Sequence, residues 1–215
     1  EGGDLASVIQ ENVAARNRAL KVGDADWRTV YQDISATWHR LEGWVGDVSV
    51  SLTEAFESGE TVLFEGAQGT MLDIDHGSYP FVSSSSATVG GICTGLGIGP
   101  RRIGAVLGIA KAYITRVGEG PLPTELHGET GEQLRAAGQE YGASTGRPRR
   151  CGWYDAVAAR YAARVNGLDA LAVTKLDVLD GESEIKICTS YLHDGTRYAD
   201  MPSNEAMMHS CEPVY

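Results

Sequence analysis

The pattern that most restricts the fold is a helix followed directly by a short apolar strand in the last third of the chain. Residues 153–165 show strong helical periodicity, Asn166 and Gly167 stop the helix, and the apolar run 168–173 predicts a short buried strand. Upstream, the apolar and β-branched residues 103–117 predict a strand pair or a strand entering a loop. A helix followed by a parallel strand indicates a crossover unit. The sequence therefore predicts an α/β fold with a mixed, mainly parallel sheet and flanking helices.

The remaining pattern predicts a helical N-terminal part and a more varied C-terminal part. We expect a helical subdomain over residues 1–60 and an α/β core over residues 61–215. The pattern predicts helices over 5–20, 27–45, 51–57 and 130–141, a buried strand over 62–64, a loop over 66–100, and a hairpin of 184–190 and 192–197 turned by His193, Asp194 and Gly195.

Composition excludes several classes of function. A net charge of −11 argues against a nucleic-acid-binding protein, and no apolar run reaches the roughly 18 residues needed to cross a bilayer. We expect a soluble protein. The four cysteines form no CxxC pair, so the sequence predicts neither structural zinc nor a redox couple, but reduced thiols. The cysteines are Cys93, Cys151, Cys188 and Cys211.

Residues 174–177, here called the guanine segment, carry the sharpest chemical signal. They read Thr174-Lys175-Leu176-Asp177 and follow the predicted strand 168–173. A carboxylate can accept hydrogen bonds from both N1–H and N2–H of guanine, a donor pair that adenine lacks. The alternative is that Lys175 and Asp177 cap a surface strand. Position at a strand's carboxyl end, where open α/β sheets bind ligands, favours the functional interpretation.

Residues 142–150, here called the arginine loop, predict an anion-binding site. The sequence GASTGRPRR combines two glycines, two hydroxyls and three guanidiniums between predicted helices. Glycines let the backbone approach a ligand, and arginine binds carboxylate or phosphate through two parallel hydrogen bonds. The alternative is a solvated run of charge.

Two weaker signals lie in the Gly-rich region after residue 62. Gln68 stands between glycines after the predicted strand, so it suits recognition of a purine edge or a ribose, or an ordinary turn. Asp73, Asp75 and His76 suit a metal or acid/base site, but acidic residues in polar loops are more often turn formers bonded to their own backbone. Metal therefore stays unassigned.

Together, these motifs give the chain a close resemblance to adenylosuccinate synthases. The blocks that resemble the family are FEGAQGTMLDIDHGSYPFV, GIAKAYITRVGEGPLPTEL, GASTGRPRRCGWYDAVA and LAVTKLDVLDG, which cover residues 64–82, 108–126, 142–158 and 171–181. The resemblance implies a P-loop-NTPase-like α/β core, a cytoplasmic homodimer and a magnesium-dependent ligase. Such an enzyme uses GTP to join L-aspartate to inosine monophosphate (IMP).

The resemblance also implies ligand roles for individual residues. It implies IMP contacts for Gln68, Ser83, Val117 and Arg147. It implies aspartate contacts for Ala143, Ser144, Thr145, Gly146, Arg147, Pro148 and Arg149. It implies GTP contacts for Arg149, Lys175, Leu176 and Asp177. Ser83 stands where the family usually has threonine, and Pro148 stands where arginine is commoner.

Parts of the family pattern have no counterpart in this sequence. The resemblance places a phosphate loop of sequence GDEGKGK, a catalytic aspartate, a catalytic histidine and the magnesium ligands upstream of the matching region. We therefore expect a central fragment, truncated at both ends and inactive alone. The alternative is a stand-alone, non-catalytic GTP-binding module.

Overall fold

The computed structural model describes residues 4–21, 25–142 and 146–215, and the chain divides into two compact units, Glu1–Ser51 and Leu52–Tyr215. The boundary proposed from the sequence, after residue 60, remains a prediction. No helix in the described ranges is both long and apolar enough to cross a membrane.

The first unit contains the two amphipathic helices that the sequence predicts. Helix α1 (Leu5–Leu20) lies against α2 (Trp27–Leu41), and a 3-10 turn follows α2 directly. Aspartates cap both helices, since the Asp4 and Asp26 carboxylates accept hydrogen bonds from backbone N–H groups of the first turn. Helix α3 (Val48–Glu57) begins a little before its predicted start.

The crossover prediction is confirmed in the second unit. Strand β1 (Leu107–Lys111) pairs in parallel with β4 (Ala170–Thr174), and helix α6 (Ala156–Asn166) immediately precedes β4. Gly167 ends α6 in the left-handed conformation that glycine adopts without strain. Asp169 is fixed at the start of β4, because its carboxylate accepts a hydrogen bond from the Val106 N–H at 2.7 Å.

A second sheet joins strands that the sequence places only in part. Strand β2 (Tyr113–Arg116) pairs antiparallel with β3 (Arg150–Asp155), which pairs in parallel with β5 (Ile187–Cys188). The predicted helix start at residue 153 is therefore wrong. Asp155 caps α6 from the end of β3, because its carboxylate accepts hydrogen bonds from two N–H groups of the first turn. The helix therefore begins at Ala156, three residues after its predicted start.

The C-terminal hairpin is confirmed at its turn but shifted at its first strand. Strand β6 (Ser190–His193) pairs antiparallel with β7 (Thr196–Tyr198) and with β8 (Glu212–Val214). Asp194 and Gly195 both have positive φ, as the predicted turn requires. The elements not yet placed are helices α4 (Gly90–Leu96), α5 (Glu129–Gly138) and α7 (Glu205–Ser210).

Two strand predictions fail, and both concern apolar residues. Residues 62–64 form no strand in the described chain, because no backbone there pairs with them, and Leu63 is 91% exposed. Strand β4 exists but is not buried, since Leu171 and Val173 are 45% and 41% exposed. Its sheet has only two strands within the described residues, so little covers either face.

Two buried clusters hold the second unit together. The first packs the inner faces of β2 and β3 against α5, and the second packs α6 against the C-terminal hairpin. The first cluster contains Ala112, Tyr113, Leu134, Cys151, Trp153 and Leu179, and the second contains Val157, Cys188, Tyr191 and Cys211. The first cluster includes Ala112, which follows β1, and Leu179, in the turn that follows β4, so it holds the chain at the carboxyl ends of both strands.

Candidate functional site

The guanine segment begins where two parallel strands end together. Thr174, the last residue of β4, is in register with Lys111, the last residue of β1. Lys175 follows in the left-handed conformation, with φ 58°, and a 3-10 turn, Leu176–Leu179, comes next. The Asp177 side chain is exposed. The predicted position of this segment at a strand's carboxyl end is therefore confirmed.

Lys175 reaches back from the guanine segment to the end of helix α5. Its ammonium group donates a hydrogen bond to the Gly138 carbonyl oxygen and lies 3.6 Å from Oε1 of Glu140. Glu140 follows directly after α5 and is fully buried, with 0% exposure. The left-handed backbone at Lys175 turns the chain at this point. The same residue thus makes the turn after β4 and carries the ammonium group that reaches helix α5.

Glu140 accepts hydrogen bonds from several segments at once. Lys111 Nζ donates to both carboxylate oxygens at 2.8 Å, the Tyr113 hydroxyl donates to Oε1 at 2.6 Å, and Arg149 Nη1 donates to Oε2 at 2.6 Å. Burial alone would raise the pKa of Glu140, but the hydrogen bonds from Lys111, Tyr113 and Arg149 outweigh it and lower that pKa to about 2. The carboxylate is therefore charged at neutral pH.

The arginine loop is closed at its neck by backbone hydrogen bonds. The Arg149 N–H donates to the Glu140 carbonyl at 2.9 Å, and the Gly142 N–H donates to the Arg147 carbonyl at 2.8 Å. Gly146 has φ 64°, a conformation that favours glycine, and its N–H donates to the Gly142 carbonyl. Arg147 and Pro148 are exposed at the surface of the loop. Of the predicted aspartate contacts, Ala143, Ser144 and Thr145 lie outside the described residues.

Arg150 does not belong to the anion-binding part of this loop. Its guanidinium binds the Glu125 carboxylate through both Nε and Nη2, and its Nη1 donates to the Gly118 and Gly120 carbonyls. Arg150, for which the resemblance implies no ligand contact, is committed to the fold at the start of β3. Arg149 and Arg147 remain as the candidate anion-binding residues.

Two of the residues with predicted IMP contacts, Ser83 and Val117, lie in segments that a buried arginine joins. Arg116, 9% exposed, donates to the Phe81 carbonyl at 2.7 Å and to the Glu119 carbonyl at 2.8 Å. Ser83 is two residues from Phe81, and Val117 directly follows Arg116, so this arginine brings their two segments together. The Ser83 hydroxyl donates to the Leu72 carbonyl at 2.8 Å, which leaves its lone pairs as acceptors.

Gln68 has an unusual backbone conformation for a residue with a side chain. Its φ is 63°, and the side chain is exposed. Such a conformation carries strain in a non-glycine residue. The following 3-10 turn is attached to helix α6, because Asn166 Nδ2 donates to Thr70 Oγ1 at 2.9 Å while Asn166 Oδ1 accepts from the Val89 N–H at 2.8 Å.

Asp73 is a turn former, as the less specific interpretation predicts. Its buried carboxylate accepts hydrogen bonds from the backbone N–H groups of Asp75, His76 and Thr88, each at 2.9 Å. Burial acts to raise the pKa of Asp73, but these hydrogen bonds outweigh it and hold the pKa at about 2. The residue therefore organises the loop that follows Gln68.

The carboxylate and cation cluster at Glu140 escapes the sequence analysis. Lys111 and Tyr113 lie in the block 108–126 that resembles the family, but the resemblance gives them no role, and Glu140 lies in none of the blocks. The sequence contains only a weak signal for this cluster. Lys111 is a charged residue at the end of an apolar run, and Glu140 is an acidic residue two positions before the arginine loop. The distances that join them depend on the fold and cannot be read from spacing.

In this chain, two parallel strands end beside a glycine-containing loop, and basic and acidic side chains converge there. This arrangement places the chain in the class of α/β proteins that bind ligands at the carboxyl ends of their strands. Within that class, the chain belongs to the adenylosuccinate synthetase family, whose sequence model matches residues 3–215.

Individual relatives agree with this assignment. The adenylosuccinate synthetase of Pelotomaculum thermopropionicum is 50% identical over 98% of this chain and 50% of its own length. That of Bifidobacterium adolescentis is 58% identical over 82% of this chain and 41% of its own length. A solved structure of fully ligated adenylosuccinate synthetase from Plasmodium falciparum has a TM-score of 0.92 at 36% identity, over 98% of this chain and 50% of that one. The chain spans about half the length of the relatives that it matches.

The described residues do not fit the magnesium ion that the resemblance implies. Across residues 4–21, 25–142 and 146–215, no three His, Cys, Asp or Glu side chains come together as metal ligands. Asp73, one carboxylate of the predicted trio, already accepts three backbone hydrogen bonds. Magnesium therefore enters no step assigned to these residues.

Proposed function

We propose that this chain forms the central part of a GTP-dependent ligase that joins L-aspartate to IMP to give adenylosuccinate, GDP and phosphate. One observation carries the proposal: Glu140 contacts both Arg149 of the arginine loop and Lys175 of the guanine segment, at the ends of β1 and β4. Membership of the adenylosuccinate synthetase family supports the same reaction.

In the proposed reaction the chain's residues bind and orient three ligands. Asp177 accepts the N1–H and N2–H donors of guanine, while Lys175 and Leu176 line the base and Arg149 offsets phosphate charge. The arginine loop binds aspartate through Gly146, Arg147, Pro148 and Arg149, together with residues 143–145. Gln68, Ser83, Val117 and Arg147 contact IMP.

The chemistry proceeds in two steps. The γ-phosphoryl group of GTP passes to O6 of IMP, which releases GDP and converts a poor leaving group into a phosphate ester. The aspartate amine then attacks C6, the C6–O6 bond breaks, and inorganic phosphate leaves with O6. Arginines of the loop offset the negative charge that accumulates as a dicarboxylate approaches a phosphorylated nucleotide.

We further propose that magnesium ligands, the catalytic aspartate and the catalytic histidine belong to parts of the relatives that this chain does not span. The working protein would then be a cytoplasmic homodimer of the relatives' full length, and residues 1–215 alone would not turn over. Coverage of about half of each relative supports this division.

The direct test is turnover by a polypeptide of the relatives' full length that carries residues 1–215, here called the full-length form. We expect adenylosuccinate formation that requires GTP, IMP and aspartate together, and no formation by residues 1–215 under the same conditions. Turnover by residues 1–215 alone would refute the division of catalytic parts. Guanine nucleotide binding without turnover in the full-length form would instead support the non-catalytic GTP-binding module.

A further inference from the structure

The buried Glu140 side chain contacts the two parts of the proposed site that bind different substrates. One carboxylate oxygen, Oε2, accepts from Arg149, which ends the arginine loop, and the other, Oε1, faces Lys175 of the guanine segment. Arg149 is also attached to Glu140 through its backbone, since the Arg149 N–H donates to the Glu140 carbonyl. A movement of either segment therefore changes the environment of the same carboxylate.

We propose that Glu140 is a positioning residue that couples guanine binding to aspartate binding by holding Arg149 and Lys175 in fixed relative positions. This inference rests on the proposed function. Long basic side chains are flexible, and their geometry becomes defined only when a partner of low mobility holds them. Glu140 is such a partner because it has 0% exposure and accepts hydrogen bonds from Lys111 at the end of β1 and Tyr113 at the start of β2.

The direction of the coupling follows from the ordering of the two segments, and the charge of the cluster allows both anionic ligands to bind. The cluster places Lys111, Arg149 and Lys175 around one carboxylate, so it carries more positive than negative charge. Bound GTP and bound aspartate both bring negative charge to this region, and each ligand orders one of the two segments that Glu140 joins. A segment already held through Glu140 by the first ligand costs the second ligand less to order, so each should strengthen binding of the other.

The test uses Glu140→Gln in the full-length form, which keeps the side chain's shape and removes its charge. We expect the KM values for GTP and for aspartate to rise together, each by about tenfold, with a smaller fall in kcat. Calorimetry should also show that GTP no longer strengthens aspartate binding in this variant, although it does so in the wild type.

The matched control is Asp155→Asn. It makes the same chemical change at another buried carboxylate, 4% exposed, whose hydrogen-bond donors are the Tyr191 hydroxyl and the Val157 and Ala158 N–H groups, outside both ligand segments. A purely structural role for Glu140 predicts that both variants lower Tm and leave the two KM values alone. Positioning predicts that Asp155→Asn lowers Tm only, whereas Glu140→Gln raises both KM values.

Three results would overturn the inference: a folded Glu140→Gln variant with both KM values within twofold of the wild type, a rise confined to one substrate, or the same paired rise in Asp155→Asn. Should Glu140→Gln fail to fold, Glu140→Asp retains the charge but withdraws it from both cations, and the paired rise is expected there too. A full-length wild type without turnover would refute the proposed function itself. If wild type and variant are both active and GTP strengthens aspartate binding equally in both, only the role of Glu140 is refuted.

Discussion

Replacing Asp73 by asparagine should destabilise the chain strongly although it changes one atom of the side chain. Oδ1 of Asp73 accepts from the Asp75 and His76 N–H groups, and Oδ2 accepts from the Thr88 N–H. An asparagine that keeps its oxygen at the Oδ1 position places an NH2 group against the Thr88 N–H. Two donors then face each other at a side chain that is 1% exposed in the wild type.

The cost can be estimated from the group left without an acceptor. A buried N–H that loses its partner costs roughly 1–3 kcal/mol, and hydrogen bonds to charged acceptors lie at the upper end. We therefore expect a loss of about 2 kcal/mol in the free energy of unfolding. For a chain of this size, that corresponds to a fall in Tm of roughly 4–8 °C.

Urea unfolding at neutral pH, followed by tryptophan fluorescence and by circular dichroism, measures this loss. The matched control is Asp75→Asn, which makes the same chemical change two residues away at an exposed side chain and should alter stability by less than about 0.5 kcal/mol. Equal midpoints for the two variants would refute the assignment of Asp73 as the organiser of this loop.

Three further predictions follow from the same contacts. The pKa of Asp73 is about 2 in the folded chain and near 3.8 in the unfolded chain, so the stabilisation by Asp73 is complete above about pH 4 and is lost as the pH falls toward 2. The difference in unfolding free energy between wild type and Asp73→Asn, measured by urea titration, should therefore narrow on acidification. A difference that does not change with pH would contradict this. Arg150→Leu should cost about 2–3 kcal/mol in urea unfolding, because it leaves the half-buried Glu125 carboxylate without its partner, and a loss below 0.5 kcal/mol would contradict that role. Arg147→Leu in the full-length form should instead lower kcat roughly 100-fold and raise the KM for aspartate with little change in Tm, and unchanged steady-state kinetics would contradict a role in aspartate binding.

Local sequence signals predict helices α1, α2, α3, α5 and α6, the crossover and the position of the guanine segment. They miss α4, which lies inside the predicted loop 66–100, and α7. Their effect is local and can therefore be predicted from neighbouring residues. Examples are the capping aspartates, the helix end at Asn166-Gly167 and the turn at Asp194-Gly195. The Asp73 turn was foreseen for the same reason, because its hydrogen bonds to Asp75 and His76 are local.

The failures share a physical cause, which is dependence on distant partners. Residues 62–64 have strand-like composition but no pairing backbone in the described chain, and residues 153–155 join a sheet although their periodicity suits a helix. The Arg150 contact with Glu125 spans 25 positions, and the Lys111 and Tyr113 contacts with Glu140 span 29 and 27 positions. Spacing carries no information about such contacts.

The most direct test of the account concerns the exposed carboxylate of Asp177 at the end of β4. Calorimetric titration of the full-length form with GTP and with ATP should show a clear preference for GTP in the wild type. Asp177→Asn should remove that preference through a loss of GTP affinity of roughly 10- to 100-fold, as expected for two hydrogen bonds to a charged acceptor. If the asparagine variant still selects GTP over ATP as the wild type does, the guanine segment does not read the base and the proposed site is wrong.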